Sequence, residues 1–193
     1  MKKAIIYLSI AILLVAIPSI GQNIKIGLVG GLNMPVPKFS DSLKTGYGGM
    51  LYIGYQADNA ITLIAKSGYL FFPAKTIQTN EATRKTSYAV IPILFGARYT
   101  YQLADEIQLY GQAEMGVYLM KAETKAQIVS LGGREVVGDE NQTKFGFSPV
   151  LGAQYKLSDL LNINLGANFS YLATENDPTM WIGINLGAEV SIK

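Results

Sequence analysis

Between residues 24 and 192 the chain repeats one pattern eight times: alternate residues are nearly all apolar, and those between them are rich in Gly, Asn and Gln. The segments run roughly over 24–34, 45–56, 60–72, 86–101, 107–121, 144–157, 162–172 and 180–192. In the last of them one phase reads Ile182, Ile184, Leu186, Ala188, Val190, Ile192. The other reads Trp181, Gly183, Asn185, Gly187, Glu189, Ser191. A period of two is that of a strand with one greasy and one polar face. A helix, with its period of 3.6, cannot sustain it over so many segments. Glycines inside the segments, as in "TGYGGMLYIGY" and "INLGANFSY", argue the same way. Each costs about 1 kcal/mol in a helix interior, whereas in a narrow barrel it makes room and lets a strand bend.

The next question is which face meets the surroundings. A soluble barrel turns its grease inward and needs a polar phase dense in charge. Here that phase is rich in Gly, Asn and Gln, and most charge lies between segments, as in "NEATRK" and "GREVVGDEN". The chain is 49% hydrophobic and 16% charged, with a mean hydropathy of +0.22; soluble domains carry roughly 25% charge. Yet nothing after residue 21 approaches the ~20 apolar residues of a membrane helix. Connections alternate between short (near 57–59, 103–106 and 158–160) and long (35–44, 73–85, 122–143), as in up-and-down topology. On the greasy phase the aromatics sort by height. Tyr47, Tyr69, Phe71, Phe145, Phe147, Phe169 and Tyr171 fall at the long-loop ends, and Tyr55, Tyr99, Tyr101 and Tyr155 at the short-turn ends. Two aromatic girdles around an aliphatic band mark a barrel in a bilayer. The prediction is an all-β fold: an eight-stranded antiparallel up-and-down transmembrane β-barrel in outer-membrane lipid. Both termini then lie on the short-turn, periplasmic side.

The start, "MKKAIIYLSIAILLVAIPSIGQ", has two lysines, an apolar stretch, a breaking Pro18, and small residues Ser19 and Gly21 before Gln22. This is the layout of a secretory signal peptide, which makes 1–21 the signal and 22–193 the barrel domain. The chain has no cysteine and no histidine. Disulfides, thiolate chemistry, cysteine-ligated metal and the commonest general base are thereby excluded. A net charge of +2 is too small to suggest a nucleic-acid partner, and no cofactor site is expected.

The whole mature chain resembles the small outer-membrane β-barrel proteins of Gram-negative bacteria. These include the OmpA-type transmembrane domain, the OmpX-type barrel and the "porin family" barrels common in Bacteroidetes-like genomes. "YAVIPILFGARYTY" (88–101) looks like the fourth-strand segment of that last group. The chain departs from such barrels in finishing Ser191-Ile192-Lys193 rather than on an aromatic residue. The peptidoglycan-binding module of full-length OmpA-type proteins is not expected. Lipid A-modifying enzymes of this shape rely on histidine beside serine, so the resemblance implies no catalysis here.

An eight-stranded barrel is just wide enough for its own side chains. Lys66, Arg98 and Glu114 fall on neighbouring strands at similar depth, and Lys25 and Glu189 near the closing seam. They are expected to form an ion-paired lumen, since an unpaired charge there is costly. The glycine-rich "LVGGLN" and "SLGGRE" begin no helix and support no phosphate cradle. In the longest connection, Gln127–Leu131 and Glu135–Val137 flank Gly132-Gly133, a hairpin signal. The fifth and sixth segments should therefore protrude as a ribbon whose edge takes a surface protein, or whose loop 122–143 takes a polysaccharide. The expected protein is a monomer with a structural or surface-interaction role. The alternatives are an accessory component of a secretion or assembly machine and a narrow channel.

Overall fold

The computed structural model describes residues 24–36, 40, 43–78, 82–128, 134–173 and 178–192. The expected signal peptide and the Gly132-Gly133 turn lie outside the described residues. Among the described residues nine strands form: β1 (Ile24–Pro35), β2 (Gly46–Gln56), β3 (Ile61–Phe72), β4 (Thr76–Gln78), β5 (Ala82–Gln102), β6 (Ile107–Ile128), β7 (Arg134–Lys156), β8 (Leu161–Leu172) and β9 (Thr179–Ile192). All but β4 are staves of one barrel. Each stave pairs antiparallel with its neighbour in sequence, β1 pairs with β9, and β3 pairs with β5 past the short β4. No edge is left within the barrel wall, as a bilayer requires. Ile24 is the register partner of both Tyr55 and Ile192, so the first and last staves begin and end at the short-turn end.

Those short turns are built by side chains. Asp58 Oδ1 accepts bonds of 2.7 Å from the N–H groups of Ala60 and Ile61. Ser158 Oγ does the same for Leu160 and Leu161 at 3.3 and 3.1 Å. Such caps satisfy backbone donors that the ladder cannot reach.

The greasy phase faces out. Leu51, Leu151 and Leu186 are 61%, 72% and 62% exposed, while Asn164, Gln154 and Glu189 are 2%, 2% and 0%. A continuous exposed apolar belt of this kind fits lipid and not water. On β7 the outward Phe147 and Tyr155 are eight residues apart; at about 3.3 Å per residue and a tilt of about 40°, that is ~20 Å of height.

One expectation is corrected. The fifth and sixth staves, β6 and β7, do extend past the lipid, but among the described residues of 73–85 and 122–143 they are joined by β5 and β4, so the protrusion is a wider sheet than a two-stranded ribbon. β5, β6 and β7 have 21, 22 and 23 residues, against 11 to 14 for the other staves. β5 follows β6 out to Ala82↔Ile128, and β4 adds three pairs to β5. Beyond the lipid the outward phase turns polar, with Lys85, Lys121, Glu123 and Lys125. The contrast between phases disappears there, although the hydrogen-bonded ladder does not.

Candidate functional site

The inward phase builds a core of two unlike halves. In the half nearer the short turns, Glu189 on β9 is the hub. It accepts a 2.7 Å bond from the Tyr52 hydroxyl and a 2.9 Å bond from Arg98 Nη1, with Gln154 and Asn162 amides at 3.3 and 3.4 Å. Lys25 Nζ stands off at 3.7 Å. Arg98 lies between two aromatic rings, Tyr110 at 4.5 Å and Tyr52 at 5.2 Å, a cation–π arrangement on both faces. Glycines make space for those rings. A Cβ on Gly27 would fall 2.1 Å from Tyr52 Cζ, and one on Gly152 would fall 2.4 Å from Tyr110 Cζ.

The second ion pair lies deeper. Lys66 Nζ is 2.6 Å from Glu114 Oε2. Gln112 joins the two groups, accepting from Arg98 Nε at 2.7 Å and donating to Glu114. The structure thus brings the five lumen residues named from the sequence into one linked set. The pairing follows reach across the lumen rather than strand adjacency: Arg98 meets Glu189 on β9, not Glu114 on neighbouring β6. Arg98 also sits level with Thr62, four residues along β3 from Lys66, so the two cations are not at one depth.

Below the hub the lumen opens at the short-turn end as a polar vestibule of about 290 Å³, lined by Lys25, Gln56, Thr62, Gln108, Asn162 and other residues. Above the Lys66–Glu114 pair it closes. Leu43, Leu70, Phe72, Val90, Leu94, Tyr118, Met120, Leu172 and Trp181 form one buried apolar cluster. The Trp181 ring lies 5.3 Å from Phe72 and 5.7 Å from Tyr118. Sequence reasoning missed this plug, having read the inward phase as polar throughout. The signal was there in height: the inward residues toward the long-loop end of the staves are Leu70, Phe72, Val90, Met120, Leu172 and Trp181.

The aromatic residues named for the girdles stand on the outward phase in two belts. Tyr47, Tyr69, Phe145, Phe147, Phe169 and Tyr171 are exposed at one end, where Phe71 is half-buried against Tyr47 at 5.9 Å. Tyr55, Tyr99, Tyr101 and Tyr155 are exposed at the other, and the Tyr155 hydroxyl bonds Glu106 at 2.6 Å.

Among the described residues no group of three His, Cys, Asp or Glu side chains converges as a metal would need. The two lumen carboxylates are each engaged by a cation. Ser148 and Ser170 bond each other at 3.0 Å, and Asn168 donates to Ser170 at 2.9 Å.

The other distinctive surface is the sheet beyond the barrel. β8 pairs with β7 only from Gly146 onward, and Ala173 N adds a bond to Phe145 O at 2.9 Å. Residues 134–144 of β7 therefore have β6 on one side and, among the described residues, no strand on the other. Along that edge Val137 is 56% exposed, and Asp139 bonds Lys121 of β6 at 2.8 Å. The Lys121 ammonium is held above the ordinary lysine range by that carboxylate.

Residues 8–189 match the family model described as "Outer membrane protein beta-barrel domain". No curated protein sequence matches the chain. Among solved structures, Neisserial surface protein A is 15% identical over 87% of this chain and 95% of that one, with a TM-score of 0.56. The outer membrane protease OmpT of Escherichia coli is 8% identical over 89% and 97%, with a TM-score of 0.51. Ail, the attachment invasion locus protein of Yersinia pestis, is 15% identical over 87% and 95%, with a TM-score of 0.45.

Proposed function

This chain belongs to the outer membrane protein β-barrel domain family, and from that membership we propose a non-catalytic, surface-interacting barrel that docks partners on its extended sheet. The observation that carries the reading is the edge of β7 over 134–144, which no strand among the described residues covers. A row of unpaired backbone groups at a sheet edge is a template for another strand, and proteins normally blunt or cover it. Here it projects beyond the aromatic girdle with an apolar side chain, Val137, exposed along it. An extended segment of a surface protein would add there by main-chain bonds, with alternate side chains setting specificity. A polysaccharide would instead use the polar side chains of 122–143.

In this reading the extended sheet faces the cell exterior and both termini face the periplasm. The lumen serves as structure: two carboxylates offset most of the charge of its three linked cations, and the apolar plug stops it from conducting. The lack of histidine and cysteine supports the absence of catalysis. Membership of a secretion or assembly machine would show itself instead as co-purification with a large complex.

The test is deletion of 126–137. Cells carrying the shortened protein should keep a heat-modifiable barrel on gels and lose adherence to protein- or polysaccharide-coated surfaces. Full adherence by the deletion strain sinks the docking role.

A further inference from the structure

Ser67 is the one polar, non-aromatic side chain on the outward phase of the staves between the two girdles. It is exposed, and its hydroxyl has no hydrogen-bond partner among the described residues. A hydroxyl without a partner is costly in an apolar medium. Ser67 also floors a trough of about 600 Å³ that Ala65 continues inward, walled by Leu51 and Ile53 of β2 and by Ile93 and Phe95 of β5. The register puts Leu51 and Ile93 directly across from Ser67, and Ile53 and Phe95 across from Ala65.

At this same point the wall itself is interrupted. Pairing between β3 and β5 runs to Ser67↔Ile93 and resumes only at Leu70↔Val90. Pro92 stands opposite the gap, and proline has no N–H to give a ladder. A similar gap beside Pro149 separates Phe147↔Tyr171 from Val150↔Asn168, but only the gap beside Pro92 is accompanied by an outward hydroxyl, that of Ser67, which presents unused hydrogen-bonding capacity to hydrocarbon.

The depth of that place is informative. Tyr69 of the girdle is two residues nearer the long-loop end, which at about 3.3 Å per residue and a tilt of about 40° puts Ser67 roughly 5 Å deeper. Tyrosine marks the headgroup level. Ser67 thus lies beside the first few carbons of an acyl chain, just below its carboxyl group.

We propose that the trough seats one acyl chain of a membrane lipid, from the leaflet at the long-loop end, and that this chain carries a hydroxyl close to its carboxyl group. The trough is continuous with the lipid-facing belt, which makes the occupant a lipid. The Ser67 hydroxyl makes it a hydroxylated one, because a plain chain fills the same space and leaves that group unbonded.

Native mass spectrometry of the full barrel tests this. The protein is held in detergent doped with equal amounts of two phosphatidylethanolamines that differ only in a 3-hydroxyl on one acyl chain. One hydroxylated lipid should be retained over the plain one by about fivefold, the worth of one hydrogen bond. Ser67→Ala should bring the ratio to about one, with retention of the plain lipid unchanged and that of the hydroxylated lipid lowered to match it. Ser67→Leu, or Ala65→Leu should the first not fold, should fill the floor and reduce retention of both, with folding followed by heat-shifted gel mobility. Equal retention by the wild type, a preference that survives Ser67→Ala, or unchanged retention in a folded leucine variant overturns the proposal.

Discussion

Replacing Glu189 by Gln keeps the side chain's shape and removes its charge. The carboxylate holds Tyr52 at 2.7 Å and Arg98 at 2.9 Å, and stands 3.7 Å from Lys25. In the variant Arg98 keeps Gln112 and its two aromatic rings but loses its counter-ion. Breaking a buried pair by removing one partner costs roughly 3–5 kcal/mol. Water in the vestibule can resolvate Lys25 and offset part of that. It helps Arg98 little, because Arg98 is only 5% exposed. We therefore place Glu189→Gln near 3 kcal/mol, at the lower end of that range. For a chain of this length each kcal/mol moves the thermal midpoint by about 2–4 °C, giving a fall of about 6–12 °C. Heat-modifiability on gels, in steps of temperature, reads it directly. Adding Arg98→Gln should recover part of the loss, since both charges of the pair then go together. A fall below about 2 °C, or a double variant whose loss is the sum of the singles, would refute the reasoning.

Four further outcomes are expected. Gly27→Ala puts a methyl 2.1 Å from Tyr52 Cζ and should cost about 1–3 kcal/mol of overpacking, read as an earlier gel shift on heating. Trp181→Ala removes the ring between Phe72 and Tyr118; it should cost about 3–5 kcal/mol in urea unfolding and raise conductance in planar bilayers above that of the wild type. A lipid-soluble photoprobe should tag Ile184 and Leu165, which are 52% and 56% exposed, and spare Asn164 and Asn185 on the inward phase; the reverse labelling would turn the barrel inside out. The Lys121 value is raised by Asp139, so its contribution to the extended sheet is fully present below the unfolded lysine's titration and lost as pH rises through the higher folded value. Asp139→Asn should bring the titration of Lys121, followed by NMR, back toward the ordinary range.

Much of the fold was legible because lipid imposes a strict rule on one phase of every stave. Nothing charged appears on that phase between the two girdles, so strand number, order and facing could all be read from it. Where lipid ends, the rule ends. Lys85, Lys121, Glu123 and Lys125 occupy outward positions beyond the girdle, and a continuing strand there looks like a charged loop. The lumen was legible in composition but not in pairing. Sequence gives strand neighbours, while Arg98 reaches Glu189 across the interior, through a gap that Gly27 and Gly152 hold open for two tyrosines. Phe72, Val90, Leu172 and Trp181 were missed for a related reason. The inward phase has no single rule: it is polar where it meets the vestibule and apolar where it seals.

Glu189 gathers Tyr52, Arg98, Gln154 and Asn162 from β2, β5, β7 and β8, yet it belongs to β9, the last stave. Seven staves without β9 would hold Arg98 with no carboxylate facing it. A half-made wall is thus penalised from within, and arrival of the final strand discharges that penalty in the same step that joins β9 to β1. Closure and neutralisation become a single event, which favours an all-or-none assembly with few stable intermediates.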